Sequence, residues 1–133
     1  KIDMNFWYRS SILKEKGGFV LLSAIFDLST NQEKYSSLVD NIYFRKHKQP
    51  EWNTCWSFFK NPSRDISAWK LIEEVWLKWY NNWSAYFSDL HSNFLMNNSW
   101  GSFKDLLSLI KLAQEKVKEK YDINLIPEVR IIK

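Results

Sequence analysis

Glycine is scarce in this sequence, with three in 133 positions where a globular chain of this length carries about nine. That scarcity leaves little provision for left-handed turns and for close approaches of the backbone, which residues with a Cβ resist. A single cysteine, Cys55, excludes a disulfide within the chain, so a reducing cytoplasm is the expected location. His47 and His91 lie far apart and lack the Cys or carboxylate spacing of a metal site, so no metal is expected. No apolar run approaches the roughly 18 to 20 residues that cross a bilayer. The longest, FVLLSAIFDL, is interrupted by Ser23 and Asp27, and no membrane association is expected. The chain opens on Lys1 with no charged leader, apolar run and cleavage site, so a portion ahead of it is expected. Internal repeats and low-complexity tracts are absent as well.

What is present suffices for one modest core, since 45% of the residues are hydrophobic and 26% charged. The net charge of +4 is mild and suits an anionic ligand, although it also fits an ordinary surface. Phe19 to Leu28, after the Gly17-Gly18 turn signal, reads as a buried strand. Thr30 and Glu33 then form a capping-box pattern, and Tyr35, Leu38, Val39 and Ile42 follow at helical spacing, which predicts a helix to about His47. WSFF is a short strand stopped by KNP, and Ala68, Leu71, Ile72 and Val75 make a second helix. From Trp76 to Asp89 a loop with a turn at Asn81-Asn82 and then a strand is expected, followed by a short strand at NFLM. Ser102 and Asp105 cap the clearest helix, with Phe103, Leu106, Leu107, Ile110, Ala113 and Val117 on its apolar face, and EVRII closes as a strand. Without repeated βαβ units, this order predicts an α+β fold, helices packed on one face of a mixed or antiparallel sheet.

Four separated pieces, FWYRSSIL, RKHKQP leading into NTCWSFFKNP, HSNFLMN, and KVKEKYDINLIPEVRIIK, carry a resemblance that covers nearly the whole chain. In order and spacing they are similar to the C-terminal portion of the UDP-N-acetylenolpyruvoylglucosamine reductase family. SFFKNP and PEVRII, joined by a capped helix, are its most specific parts. The resemblance implies an FAD- and NADPH-dependent oxidoreductase of peptidoglycan precursor synthesis, in which residues 1–48 end the FAD-binding domain and 49–133 form the substrate-binding domain. It implies a UDP-N-acetylglucosamine enolpyruvate substrate, a monomer, and a fragment inactive by itself. Between Leu28 and Lys48 the chain lacks the longer insertion, with a substrate-clamping tyrosine, of one subclass. The competing reading is a non-catalytic fragment or a basic aromatic module that stacks on single-stranded nucleic acid; the resemblance argues against a nucleic-acid partner.

The same resemblance suggests the site. Ser57 matches the family's proton donor, which must protonate C2 of the enolpyruvyl group after hydride reaches C3; a serine can do this only if held and polarised by its neighbours. Arg9 matches the catalytic arginine, whose guanidinium would stabilise the growing enolate charge, and Glu128 the catalytic glutamate, which would orient that ensemble or a proton path. Lys48 matches a lysine near the substrate diphosphate, Asn61 an asparagine lining the site, and Tyr8 the residue preceding the arginine. His91 falls where some members carry a polar site residue, and Lys60 is a structural residue or a minor phosphate contact. No residue is assigned to FAD.

Where the family reads FGYR, GSFFKNP and AGxLIEE, this chain has Trp7, Trp56 and Trp69 in place of glycine. Trp52, Trp76, Trp79 and Trp83 also fall where the family has or accepts glycine, and Trp100 sits in a turn. An indole where the backbone must take a positive φ adds strain and bulk together, and three Trp in one short loop have no periodic face on which to bury. One replacement residue used each time is the signature of a UGA codon read as tryptophan where the native code reads glycine. The eight Trp codons are therefore expected to be UGA; sequencing the gene decides it, and UGG codons would mean that tryptophan is intended.

Overall fold

The structure, a computed structural model, describes residues 4–18, 20–26, 32–78, 80–82, 84–98 and 100–132. It divides into two compact units, Lys1–Leu38 and Val39–Lys133. The elements are α1 (Ile12–Lys16), α2 (Gln32–Lys48), β1 (Thr54–Ser57), α3 (Ala68–Glu74), β2 (Asn81–Asn82), β3 (Ala85–Phe87), β4 (Phe94–Asn97) and α4 (Phe103–Tyr121). The unit boundary falls within α2.

In the first unit, Trp7 and Ser10 exchange backbone hydrogen bonds of 3.1 Å around a tight turn whose corner is Tyr8 and Arg9. Arg9 takes φ +56°, the left-handed conformation that such turns usually assign to glycine or asparagine. The expected strand from Phe19 to Leu28 is not formed over residues 20–26, which have no regular structure and stay exposed, Ile25 completely. An apolar run becomes a strand only against a partner edge, and no described residue offers this segment a backbone hydrogen bond. The capping-box pair Thr30 and Glu33 lies outside the residues and side chains described. The predicted helix itself is present as α2.

The second unit is an antiparallel sheet in the order β1-β4-β3-β2, with α4 packed against β3 and α3, as the α+β expectation has it. Period two is visible in β3, where Ala85 and Phe87 are buried on either side of half-buried Tyr86. Asn81-Asn82 is not the turn expected of it. Its backbone pairs with Tyr86 and Ala85 as a strand. α4 starts with a full capping box: the Ser102 hydroxyl accepts the Asp105 N–H at 3.3 Å, and the Asp105 carboxylate accepts the Ser102 N–H at 2.9 Å. The Ser102 hydroxyl also donates to the Asp105 carboxylate at 2.7 Å, and this bond first, with that from the Ser102 N–H, holds the Asp105 carboxyl below its usual range. Leu109, Ile110, Ala113 and Val117 make the buried face of the helix, joining Ala68 and Ile72 of α3 and Phe87 and Leu95 of the sheet. Burial of each large side chain contributes about 1.5 to 3 kcal/mol. Phe103, expected on this face, lies at the helix start and is exposed, and Leu109 is buried instead. EVRII is not a continuous strand; its pairing is limited to a bridge between Phe59 and Pro127 and the hydrogen bonds beside it.

Two tryptophans stand where the backbone calls for glycine. The register between β1 and β4 slips by one residue between Thr54 and Ser57, a β-bulge, and inside it Trp56 has φ +66°; the bulge type with a left-handed residue takes glycine there. At the end of α3, the Trp76 N–H donates to the Glu73 carbonyl at 2.9 Å and the Leu77 N–H to the Ile72 carbonyl at 3.2 Å. This pair of bonds is a Schellman motif with Trp76, φ +63°, at its left-handed position. Neither indole is buried in compensation, since Trp56 and Trp76 are 63% and 76% exposed. Trp7, Trp52, Trp69 and Trp100 are exposed too, while Trp79 and Trp83 lie outside the described residues. By contrast Gly101 is written as glycine and has to be, because a Cβ there would meet the Ser84 carbonyl oxygen at 2.4 Å. A left-handed residue other than glycine costs about 1 to 2 kcal/mol. Trp56→Gly and Trp76→Gly are each expected to raise the urea midpoint of this chain, by about 1 kcal/mol of stability; unchanged or lowered midpoints would show that the indoles pack productively.

Candidate functional site

Ser57 ends β1 and is half-buried. The chain then runs through Phe58 and Phe59, both buried, to Lys60. Along one side lies the C-terminal segment: the Glu128 N–H donates to the Phe58 carbonyl at 2.7 Å, and the Lys60 N–H to the Ile126 carbonyl at 2.9 Å. Ser57 and Glu128, from motifs near opposite ends of the unit, therefore come within one residue of each other across an antiparallel pairing. Pro127 fits at the bridge because the position opposite Phe59 is one whose N–H is not called on.

Asn61 lies on the same strand-to-helix connection. Its Oδ1 accepts the N–H of Ala68, the first residue of α3, at 3.0 Å, whereas Ser67 at the N-cap makes no side-chain cap. Asn61 thus caps α3 from seven residues upstream.

Lys48 and His91 share a second location. They line a cavity of about 240 Å³ together with Trp69, Glu73, Lys78 and Ser92. Lys78 is salt-bridged to Glu73 at 3.0 Å. The Ser92 hydroxyl, in a residue 1% exposed, has no hydrogen-bond partner among the described residues. His91 is half-buried, and this burial pushes its imidazole below the ordinary histidine range. Its Nδ1 accepts the Asn93 N–H at 3.3 Å, so the neutral ring carries its proton on Nε2. A larger cavity, about 680 Å³, is lined by Thr54, Phe58, Leu95, Leu106 and Ile131 among others and includes none of the expected site residues.

Arg9 and Tyr8 belong to the first unit. Both are exposed at the turn, with the Arg9 guanidinium 5.8 Å from the centre of the Tyr8 ring. Sequence reasoning passes over Asn93, although it stands inside the HSNFLMN motif. It is 3% exposed and binds the backbone of Phe59 through both ends of its amide. A buried asparagine opening an apolar strand is the signal that could have found it, because a buried amide must be answered by partners.

The described residues do not build a cradle for a flavin or its diphosphate. Gly17 and Gly18, the glycines at positive φ, follow the C-terminal end of a five-residue helix and face open space. A helix N-terminus is the end that holds phosphate. Nor does any described group of His, Cys, Asp and Glu gather as a metal site, and no described helix is long and apolar enough to cross a membrane.

Comparison with known proteins defines the class first. Residues 48–132 match the model for the C-terminal domain of UDP-N-acetylenolpyruvoylglucosamine reductase. Reductases of that name from Clostridium tetani and Bacillus licheniformis are 42% and 38% identical to this chain, over 99% and 98% of its length. Only 43% and 44% of those proteins is covered, so the chain spans under half of their length. A shorter Bacillus licheniformis protein of the same name, 36% identical, is covered over 72% of its length. The crystal structure of the Thermus caldophilus reductase superposes with a TM-score of 0.59 at 29% identity, covering 74% of this chain and 34% of that one. The fold and the matches are those of a reductase's C-terminal part. The chain belongs to the UDP-N-acetylenolpyruvoylglucosamine reductase family.

The histidine yields a pH test. Its folded-state pKa is depressed, so the unfolded chain takes up a proton at higher pH than the folded one. The stability contributed by a neutral His91 is present above the ordinary histidine pKa and is lost as pH falls through it. The urea midpoint is expected to fall between about pH 7.5 and 5.5, and His91→Gln is expected to flatten that decline. Identical slopes for the two proteins would show that another group is responsible.

Proposed function

We propose that this chain is the substrate-binding end of an enzyme that reduces UDP-N-acetylenolpyruvoylglucosamine to UDP-N-acetylmuramate with NADPH and FAD. In this reading residues 1–48 end the FAD-binding domain, 49–133 bind the nucleotide sugar, and the cofactors are held by the part of the enzyme beyond this chain. The enzyme acts as a cytoplasmic monomer supplying cell-wall precursor, and the isolated chain does not turn over. Family membership favours this over a nucleic-acid-binding module.

The observation that supports the reading is the pairing of residues 58–60 with 126–128, which brings the backbone of Glu128 to Phe58, the residue after Ser57. Bound flavin, once reduced, supplies a hydride to C3 of the enolpyruvyl group. The residues of this chain then manage the charge and the proton. The C2=C3 electron pair moves onto C2 and the carboxylate, Ser57 Oγ–H protonates C2, and solvent returns the proton to the serine. Arg9 stabilises the carboxylate as charge grows, and Glu128 orients the ensemble. Lys48 contacts the diphosphate, a role supported by its lining one cavity with His91. Tyr8 accompanies Arg9, and Asn61 acts by shaping the connection after Ser57.

The test uses the full-length, flavin-loaded enzyme with glycine at the Trp positions. Ser57→Ala is expected to leave flavin reduction by NADPH near the parental rate and to slow reoxidation by the enolpyruvyl substrate roughly 10²- to 10⁴-fold. Arg9→Ala and Glu128→Ala are expected to impair the same half. Stopped-flow absorbance of the flavin separates the halves; reoxidation of Ser57→Ala at the parental rate would remove Ser57 as proton donor.

A further inference from the structure

The backbone that follows Ser57 is held largely from one residue. Phe58 and Phe59 are both buried and present four polar backbone groups, each of which needs a partner. The Phe58 carbonyl takes the Glu128 N–H. The other three are satisfied by Asn93: its backbone carbonyl accepts the Phe58 N–H at 2.8 Å, its Oδ1 accepts the Phe59 N–H at 2.9 Å, and its Nδ2 donates to the Phe59 carbonyl at 2.8 Å. The side chain thus imitates a strand partner for a residue beyond the last ladder pair, Ser57 with Phe94, at which β1 and β4 end.

No other side chain of this size supplies both bonds. Leucine would leave a buried N–H and carbonyl unanswered. Aspartate would keep the acceptor but set a carboxylate against the Phe59 carbonyl. Upstream of Ser57, the bulge removes the constraint that a regular ladder would impose; downstream, Asn93 supplies it.

We propose that Asn93 is a positioning residue for Ser57, fixing the hydroxyl at the point where a proton must be delivered by gripping the two residues that follow it. The inference rests on the proposed role of Ser57. Asn93 is buried and acts through the backbone, so its removal should change the rate of the proton-dependent half rather than substrate affinity. A misplacement of about 1 Å at a reacting group is enough to cost roughly 10²-fold.

The experiment compares Ser57→Ala, Asn93→Ala, the double variant and Asn93→Asp in the full-length, flavin-loaded enzyme with glycine at the Trp positions, following both flavin half-reactions and flavin content. Asn93→Ala is expected to slow reoxidation at saturating substrate roughly 10²-fold, with KM within about threefold and NADPH reduction unchanged. In the double variant it should slow Ser57→Ala no further, because a residue acting through Ser57 has nothing left to position. Asn93→Asp, which keeps the shape should the alanine variant lose its flavin, is expected to regain reoxidation rate as pH falls, since a protonated carboxyl can again donate to Phe59. Multiplying effects in the double variant, a parallel loss of NADPH reduction in a variant that retains flavin, or a flat pH profile for Asn93→Asp would overturn the inference. A parental rate for Ser57→Ala alone would instead overturn the function on which it rests.

Discussion

Buried backbone must be paired, and in this domain that requirement converges on Phe58 and Phe59. Their rings enter the core while their N–H and carbonyl groups are answered by two segments remote in sequence, the start of β4 and the stretch before the C-terminus. Without those partners the KNP connection would have no fixed course, and the cap that Asn61 gives to α3 would lose its footing. α4 contributes from behind: its buried stripe holds α3 and β3 together, and Gln114 reaches the Leu125 carbonyl at 2.8 Å, tying the returning segment to the helix. The same pairings that close the core therefore also bring Ser57 and Glu128 together.

A different constraint runs through the turns. The β-bulge before Ser57 and the end of α3 each ask for a left-handed residue, and each is given tryptophan. Their hydrogen-bond patterns form nonetheless, because they are enforced by backbone pairing on either side. The indoles stay mostly in solvent, so burial offsets little of the strain. Gly101 shows the contrast, its lack of a Cβ being used by two close neighbours. Motif positions suggest reading these tryptophans as glycines; bulge and helix-cap geometry support the same reading by an independent physical route.

Elements whose stability is local are legible from residue order. The α4 cap needs only Ser102 and Asp105 three residues apart, and its apolar stripe follows from helical spacing, so both stand where expected. α2, α3 and β4 are likewise visible. Failures come where the outcome depends on a partner. The run from Phe19 has strand composition, yet residues 20–26 meet no edge and stay irregular; EVRII meets one only at its beginning; Asn81-Asn82 is drawn out of a turn by β3. Phe103 shows the remaining kind of error, since periodicity gives the face a side chain occupies and not whether other residues cover it.

The sequence by itself determined the family, the α+β class, the capped helix α4 and the residue types offered for chemistry, because short motifs and side-chain periodicity are properties of neighbouring positions. Only tertiary structure decided that Asn93 grips Phe59, that Asn61 caps α3, that Lys48 and His91 line one cavity, and that Glu128 comes to rest beside Ser57. Each of these is a hydrogen bond or a shared space between residues apart in the chain. Such relations arise when the core closes and buried polar groups take the partners that closure leaves within reach.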